Sequence, residues 1–352
     1  MNRLQLGVNL FIRRYAELTS DEVMSWNRLL LDNDDTRRAF MSPTYVAAVE
    51  ATGGVVWVLI VYAGGTPVFI LPIQRAHGML GRFGIFEPAG GVMTDYFGAI
   101  AQEGESFAPQ ELIDASEGVI GAILFTHLDE SQSRLGLSGG EFRTGLRIRL
   151  GDLPAEYWNN LRKVDKKLVY DTERREKKLI KEVGDLSFEW TSTRPDQDMT
   201  WLIESKKRQY SRAGRNHAPL FDDTNVALLR NLLAARDETC LGILSVLRCG
   251  DSIVAAHFGL QCREVLHVWF PVYEQKCASY SPGRILLRHM FQAATSHGIT
   301  TFDRGEGDTQ AKRDFANEEH RFARGLWLAS GMRGLLAHLA LRVAWRVDQL
   351  ME

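Results

Sequence analysis

The sequence predicts an α/β protein with mixed sheets in two similar halves, and three observations lead there. Two stretches rich in Val and Ile fold about tight-turn pairs: "VVWVLIVYAGGTPVFILPIQRA" about Gly64-Gly65, and "LGILSVLRCGDSIVAAHFGLQCREVLHVWFPVY" about Gly250-Asp251. Set side by side, "VLIVYAGGTPVFIL" and "LSVLRCGDSIVAAH" place most apolar residues in coincidence at an offset of about 185 residues, as a duplicated domain would. The second half then alternates strand, loop, helix and strand through "LHVWFPVY", "EQKCASYSPG", "RILLRHMFQAATSHG" and "ITTFD".

A length of 352 residues exceeds what one core usually fills, so two domains are expected. The boundaries read as an N-terminal domain over 1–155, a basic linking helix over 156–184, a C-terminal domain over 185–330 and an amphipathic helix over 331–352.

The composition is that of a globular protein, with 45% hydrophobic and 24% charged residues. A formal net charge of −2 gives no global basic field, so any nucleic-acid site must be a local patch. The cysteines, Cys240, Cys249, Cys262 and Cys277, are spaced 9, 13 and 15 apart, which fits neither a metal site nor a disulfide framework. No metal is expected. The N-terminal "MNRLQLGVNLFIRRY" lacks a signal-peptide core, and no apolar run reaches about 18 residues. A soluble, cytoplasmic protein is the expectation.

The first helix is "SDEVMSWNRLLLDN", with Ser20 as N-cap, Asp21 and Glu22 in the first turn, and Val23, Trp26 and Leu30 on one face. Ser-Pro opens a second helix in "SPTYVAAVEAT", before the first hairpin. In "EYWNNLRKVDKKLVYDTERREKKLIKEVGD" the apolar positions are sparse. Nine basic residues between Arg162 and Lys181 face four acidic ones, which reads as one long, solvated helix bridging the halves. That helix could also present a rim to a phosphate-bearing substrate or an RNA. At the C-terminus, "GMRGLLAHLALRVAWRVDQLME" keeps Arg333, Arg342 and Arg346 off its Leu face. Packing on the body and contact with an anionic membrane surface are both open to it.

Two stretches carry the candidate chemistry. In "YSPGRILLRHMF", Ser-Pro-Gly leads into a helix with Ile285, Leu286, His289, Met290 and Ala293 on its buried stripe and Gly298 beyond its end. Its N-terminus lies at the C-terminal end of a strand, where ligands of open α/β sheets tend to bind. Ser281, Gly283 and Arg284 could offer two backbone N–H groups, a hydroxyl and a guanidinium to a pyrophosphate, with Pro282 fixing the turn. Next comes "FDRGEGDTQAKRDF", which gathers Asp303, Arg304, Glu306, Asp308, Lys312, Arg313 and Asp314 around two glycines. Asp308 or Thr309 could instead simply cap a helix, with Lys312 pairing back to Asp308.

Together "YSPGRILL…FDRGEGDTQAKRDF", "KKRQYSRAG" and "GGVMTDYFG" resemble the CelD/BioF2-like acyltransferases of the GNAT superfamily, related in fold to the FemABX aminoacyltransferases. The resemblance spans about Ser42 to Trp327 and implies two tandem GNAT-like domains, each a mostly antiparallel sheet flanked by helices. The chain departs from the family's phosphate loop, where only Gly283 is present, and has Ala311-Lys312 where many relatives carry Tyr-Lys.

What the resemblance implies is an acyl transfer from acetyl-CoA or another acyl-CoA to an amine or hydroxyl. "LHVWFPVY", with Trp269 and Tyr273, would meet the pantetheine arm, and Ser281, Pro282, Gly283, Arg284 and Lys312 would hold the donor. Asp303, Glu306, Asp308 and, on the neighbouring strand, His257 are the candidate bases or orienting groups. His257 and His267 could equally be hydrogen-bonded core residues. Lys206, Tyr210 and Arg212, with Asp95 and Tyr96 from the first half, would line the acceptor cleft. The acceptor is expected to be a cell-envelope or exopolysaccharide precursor, at the inner face of the membrane. An aminoacyl-tRNA-dependent transferase and a non-catalytic binding protein are the alternatives.

Overall fold

In the computed structural model, which describes residues 8–33, 37–151 and 153–351, both predicted hairpins form. The chain runs through β1 (Val8–Arg14), α1 (Ser20–Asp32), α2 (Pro43–Glu50), β2 (Val56–Ala63), β3 (Thr66–Arg75), α3 (Gly78–Arg82), β4 (Ile85–Pro88), β5 (Ile100–Ala101), α4 (Pro109–Asp114), β6 (Ala122–Asp129) and β7 (Glu141–Arg149). It continues with α5 (Pro154–Val164), α6 (Lys166–Val183), β8 (Leu186–Glu189), α7 (Pro195–Arg212), α8 (Asp223–Ala234), β9 (Arg236–Asp237), β10 (Cys240–Cys249), β11 (Ser252–Cys262) and β12 (Val265–Tyr273). Last come α9 (Pro282–Ala293), β13 (Thr301–Glu306), α10 (Gln310–Arg313), β14 (Glu318–Leu328) and α11 (Gly331–Met351). The chain divides into one unit up to Arg143 and again from Arg321, and a second unit over Thr144–His320.

In the first unit the strand order is β1-β2-β3-β4-β6-β14, antiparallel except for β4 with β6. The β2–β3 turn requires left-handed backbone at both central residues, and Gly64 (φ 57°) and Gly65 (φ 83°) supply it without steric cost. Leu71, Phe86, Phe107 and Phe125 fill the core beside this sheet. Helix α1 starts one residue earlier than read: Thr19, not Ser20, is the N-cap, because Glu22 answers it in a capping box. Ser42 caps α2 as expected, accepting from Tyr45 N–H at 3.0 Å.

Helix α11 packs on this unit through Gly334, Ala337 and Leu341, the latter two against Ala76, Ile85 and Ala122. A Cβ at Gly334 would lie 1.9 Å from the Ala329 carbonyl oxygen, so only glycine fits there. The small residues are therefore the buried stripe, and Leu335, Leu336 and Leu339 face out beside exposed Arg333 and Arg342. The side chain of Arg346 lies outside the described residues. Among the described residues no helix is long and apolar enough to cross a membrane.

The second unit has the strand order β7-β13-β12-β11-β10-β8, with β9 on β10 and only β12–β13 parallel. Each unit thus holds one parallel pair next to its hairpin, which is the architecture of mixed sheets flanked by helices that the two halves suggested. Phe291, Phe302 and Phe315 meet edge-on at 5.1 and 5.8 Å in its core, with Leu266 and Leu286 around them. The long helix expected over 156–184 is two helices. The break falls at Asp165, whose carboxylate accepts the Leu168 N–H at 2.8 Å and caps α6. Nor is α6 wholly solvated: Leu168, Val169 and Leu179 are buried.

Candidate active site

Strands β12 and β13 run parallel only from Val265/Thr301 to His267/Asp303. Beyond that register β12 continues to Tyr273 against β11, whereas β13 bulges between Asp303 and Glu306, with Gly305 at φ 62°. The two strands part as a wedge, and a cleft of about 340 Å³ opens there. Val268, Pro271, Val272 and Tyr273 form one wall, Arg304 stands on the other, and Leu286, Leu287 and Met290 of α9 close the floor.

At the wide end sits the start of α9, where Ser281 and Gly283 line the cleft. Ser281 is itself left-handed (φ 52°, ψ 52°) and makes no side-chain cap. Its carbonyl accepts the Arg284 N–H at 3.0 Å, so Arg284 does not offer the free backbone donor expected of it. Pro282 is buried at the first helical position, where its missing N–H costs nothing. The Ser281 hydroxyl accepts from Nη1 of Arg175 at 3.2 Å, and the same guanidinium reaches the Ser279 carbonyl. Arg284 pairs with Asp314 at 2.6 Å. Two guanidinium groups therefore flank an uncapped helix start, an arrangement suited to phosphate.

Further in, Lys206 of α7 donates to the Pro271 carbonyl at 2.8 Å and lies 5.5 Å from the Tyr210 ring centre. Enclosure of its ammonium, with the charge of Arg215, pulls Lys206 down to about 8. His257 on β11 lines the same cleft fully buried, and no hydrogen bond of normal geometry reaches either ring nitrogen among the described residues. Burial and the neighbouring charges of His267 and Arg304 bring it down to about 3, so its imidazole is neutral. Arg304, 9% exposed, is pulled down to about 10 by burial, and its Nη1 has no partner among the described residues.

The acidic cluster is not in this cleft. Asp303 is fully buried and accepts from Nε of Arg147 at 3.0 Å, while Nδ1 of His267 lies 3.6 Å from its other oxygen. Burial alone would raise that carboxyl, but His267 and Arg147 hold it well below the usual range. Asp308 is exposed and pairs with Arg313, not with Lys312. Lys312 instead donates to the carbonyls of Arg304 (2.6 Å) and Glu306 (2.7 Å), pinning the loop after β13. Glu306 is half-buried and does not line the cleft.

The remaining candidates are dispersed. Trp269 packs on Phe270 with ring centres 4.8 Å apart, away from the cleft lining, whereas Tyr273 is part of it. Arg212 donates to Gln275 Oε1 at 3.0 Å beside a small recess. Tyr96 is 2% exposed in the first unit, edge-on to Phe322 at 5.0 Å, and Asp95 is half-buried next to it. Tyr96 thus serves that unit's core. Arg175 was not singled out by sequence reading, nor was Arg304 given a role. The signal for Arg175 was its place in the basic stretch 162–181. Among the described residues no group of three or more His, Cys, Asp or Glu is placed to hold a metal ion.

No curated protein matches the chain. Solved structures that share its fold include the following three. The chain is similar to FemX with a TM-score of 0.61 at 9% identity, covering 90% of this chain and 96% of that one. It is similar to the C-terminal domain of a candidate lysylphosphatidylglycerol synthetase from Agrobacterium fabrum, with a TM-score of 0.52 at 13% identity, covering 92% and 96%. A protein of unknown function from Bacteroides thetaiotaomicron gives 0.52 at 10% identity, covering 89% and 100%. Residues 166–313, which contain the whole wedge, match the family model of the acetyltransferase (GNAT) domain. The match to the GNAT acetyltransferase model thus falls within the second unit, and the fold of the chain is one it shares with FemX.

Proposed function

We propose that the second unit transfers an acyl group from acyl-CoA to an amine or hydroxyl of a cell-envelope or exopolysaccharide precursor. The observation that carries this reading is the wedge between β12 and β13 with the α9 start at its wide end. Beyond His267, β12 runs on to Tyr273 without β13 paired to it, and the space between them suits an extended pantetheine arm. The Arg175 and Arg284 guanidinium groups suit its pyrophosphate. The thioester then lies toward the apex. The acceptor's nitrogen or oxygen attacks the carbonyl, the new bond forms, the C–S bond breaks, and the sulfur takes up the proton the acceptor gave up, so that CoA leaves as the thiol. With the carboxylates elsewhere, Lys206 is the lining group whose pKa lies near neutral pH, and it takes the acceptor's proton.

Thermal unfolding of the full chain with CoA, acetyl-CoA and longer acyl-CoAs tests the reading, because a ligand of the folded state raises the melting temperature. A rise with CoA is expected, and no rise with any of them contradicts it. One observation favours a second reading, aminoacyl transfer from tRNA: Arg162, Lys163, Lys166, Lys167, Lys177 and Lys181 are all exposed along α5 and α6. That reading predicts tRNA binding lost by about 200 mM salt.

The location at a membrane rests on the first unit. An apolar groove is lined by Met79, Phe83, Leu336, Leu339 and Val343, while Arg82, Arg333 and Arg342 stand on the same two helices or beside them. In α3 and over residues 331–344 of α11 there is no acidic side chain, so the charge of this stretch complements an anionic lipid surface. Vesicles containing phosphatidylglycerol should sediment the protein, neutral ones should not, and equal partition would exclude this location.

A further inference from the structure

Arg304 is the group in the cleft that the donor reading leaves unexplained. It is the first residue of β13 past the last paired position, Asp303, and so stands at the apex of the wedge. Its side chain is nine-tenths buried, and among the described residues it makes no side-chain hydrogen bond or ion pair. The carboxylate whose charge acts on it, Asp314, is already committed to Arg284 at 2.6 Å. The nearby Tyr157 hydroxyl donates to the Phe315 carbonyl. A guanidinium held out of water without a counter-charge is costly, and an anionic ligand relieves that cost. No carboxylate belongs to the cleft lining. Arg304 thus brings an uncompensated cation to the end of the cleft where the donor's acyl group and the acceptor would meet.

We propose that Arg304 binds a carboxylate at the cleft apex, carried by the acyl group or by the acceptor. The planar guanidinium suits a carboxylate because two parallel N–H groups match its two oxygens. This inference rests on the acyl-CoA reading for its geometry, but its chemistry is that of Arg304 alone. An acetyl group would leave Arg304 without a partner, whereas a dicarboxylic half-ester such as succinyl would supply one.

Titration calorimetry on the full chain separates the two sources. If the acyl group carries the carboxylate, succinyl-CoA binds at least about tenfold tighter than acetyl-CoA. Arg304→Gln then removes that gain while leaving CoA affinity within about twofold. If the acceptor carries it, the two thioesters bind alike, but the CoA-loaded protein binds succinate and Arg304→Gln loses that binding. Neither preference nor succinate binding, or a gain retained in Arg304→Gln, overturns the proposal. Should the variant fail to fold, the wild-type measurements decide alone. Failure of CoA itself to bind contradicts the donor reading instead, and succinate binding to the unliganded chain then decides the carboxylate site.

Discussion

Asp303 accepts a hydrogen bond from Nε of Arg147 at 3.0 Å, joining β13 to β7 by an ion pair in which the carboxylate has no exposure at all. The arrangement makes Asp303 a support beneath the cleft wall and not a base within it. Asp303→Asn would leave Arg147 with Glu318, 3.3 Å from its Nη1, as the remaining counter-charge, and breaking such buried pairs costs up to about 3–5 kcal/mol. Denaturant unfolding should show that loss. Full stability with lost turnover would return Asp303 to the chemistry.

His257 gives the fold a dependence on acid. Its folded pKa, about 3, lies below the ordinary value near 6.5, so between those limits the unfolded chain binds a proton that the folded chain refuses. The stability associated with neutral His257 is complete above about pH 6.5 and declines as the pH falls toward 3. In His257→Gln the slope of unfolding free energy against pH should be shallower there, by up to about 1.4 kcal/mol per pH unit. An unchanged slope would mean that His257 is protonated in the fold.

Lys206 sets the opposite limit. Its charge is lost as the pH rises through about 8, so affinity for an anionic donor should fall between pH 7 and 9. The loss should be about 1 kcal/mol, roughly fivefold. Lys206→Met should bind more weakly at pH 7 and show no such fall. A wild-type profile flat across that range would remove Lys206 from the donor cleft.

What could be read beforehand was local. Gly64-Gly65 and Gly250-Asp251 announced their hairpins because a two-residue turn needs left-handed backbone that few residues adopt cheaply. Ser281-Pro282-Gly283 announced the start of α9 for a similar reason. What could not be read depends on distant pairing. Arg147 and Asp303 are 156 positions apart, and Arg175 reaches Ser281 across 106. The cluster after β13 looked catalytic because it is dense in charge, yet Lys312 spends its ammonium on two carbonyls and Asp308 on Arg313. In α11 the period revealed two stripes, but only packing decides that the small one is buried: Gly334 admits no side chain.

The central claim is that the α9 start holds the phosphates of an acyl-CoA, and Gly283→Asp tests it most directly. At Gly283 an added Cβ would meet nothing nearer than the Tyr273 ring at 3.9 Å, so the substitution fits. An acidic residue in a helix's first turn is favourable to the fold, yet it sets a negative charge against the phosphates. Titration calorimetry with CoA should show affinity reduced at least about tenfold in Gly283→Asp, with the melting temperature unlowered. Equal CoA affinity in the two proteins would contradict the account.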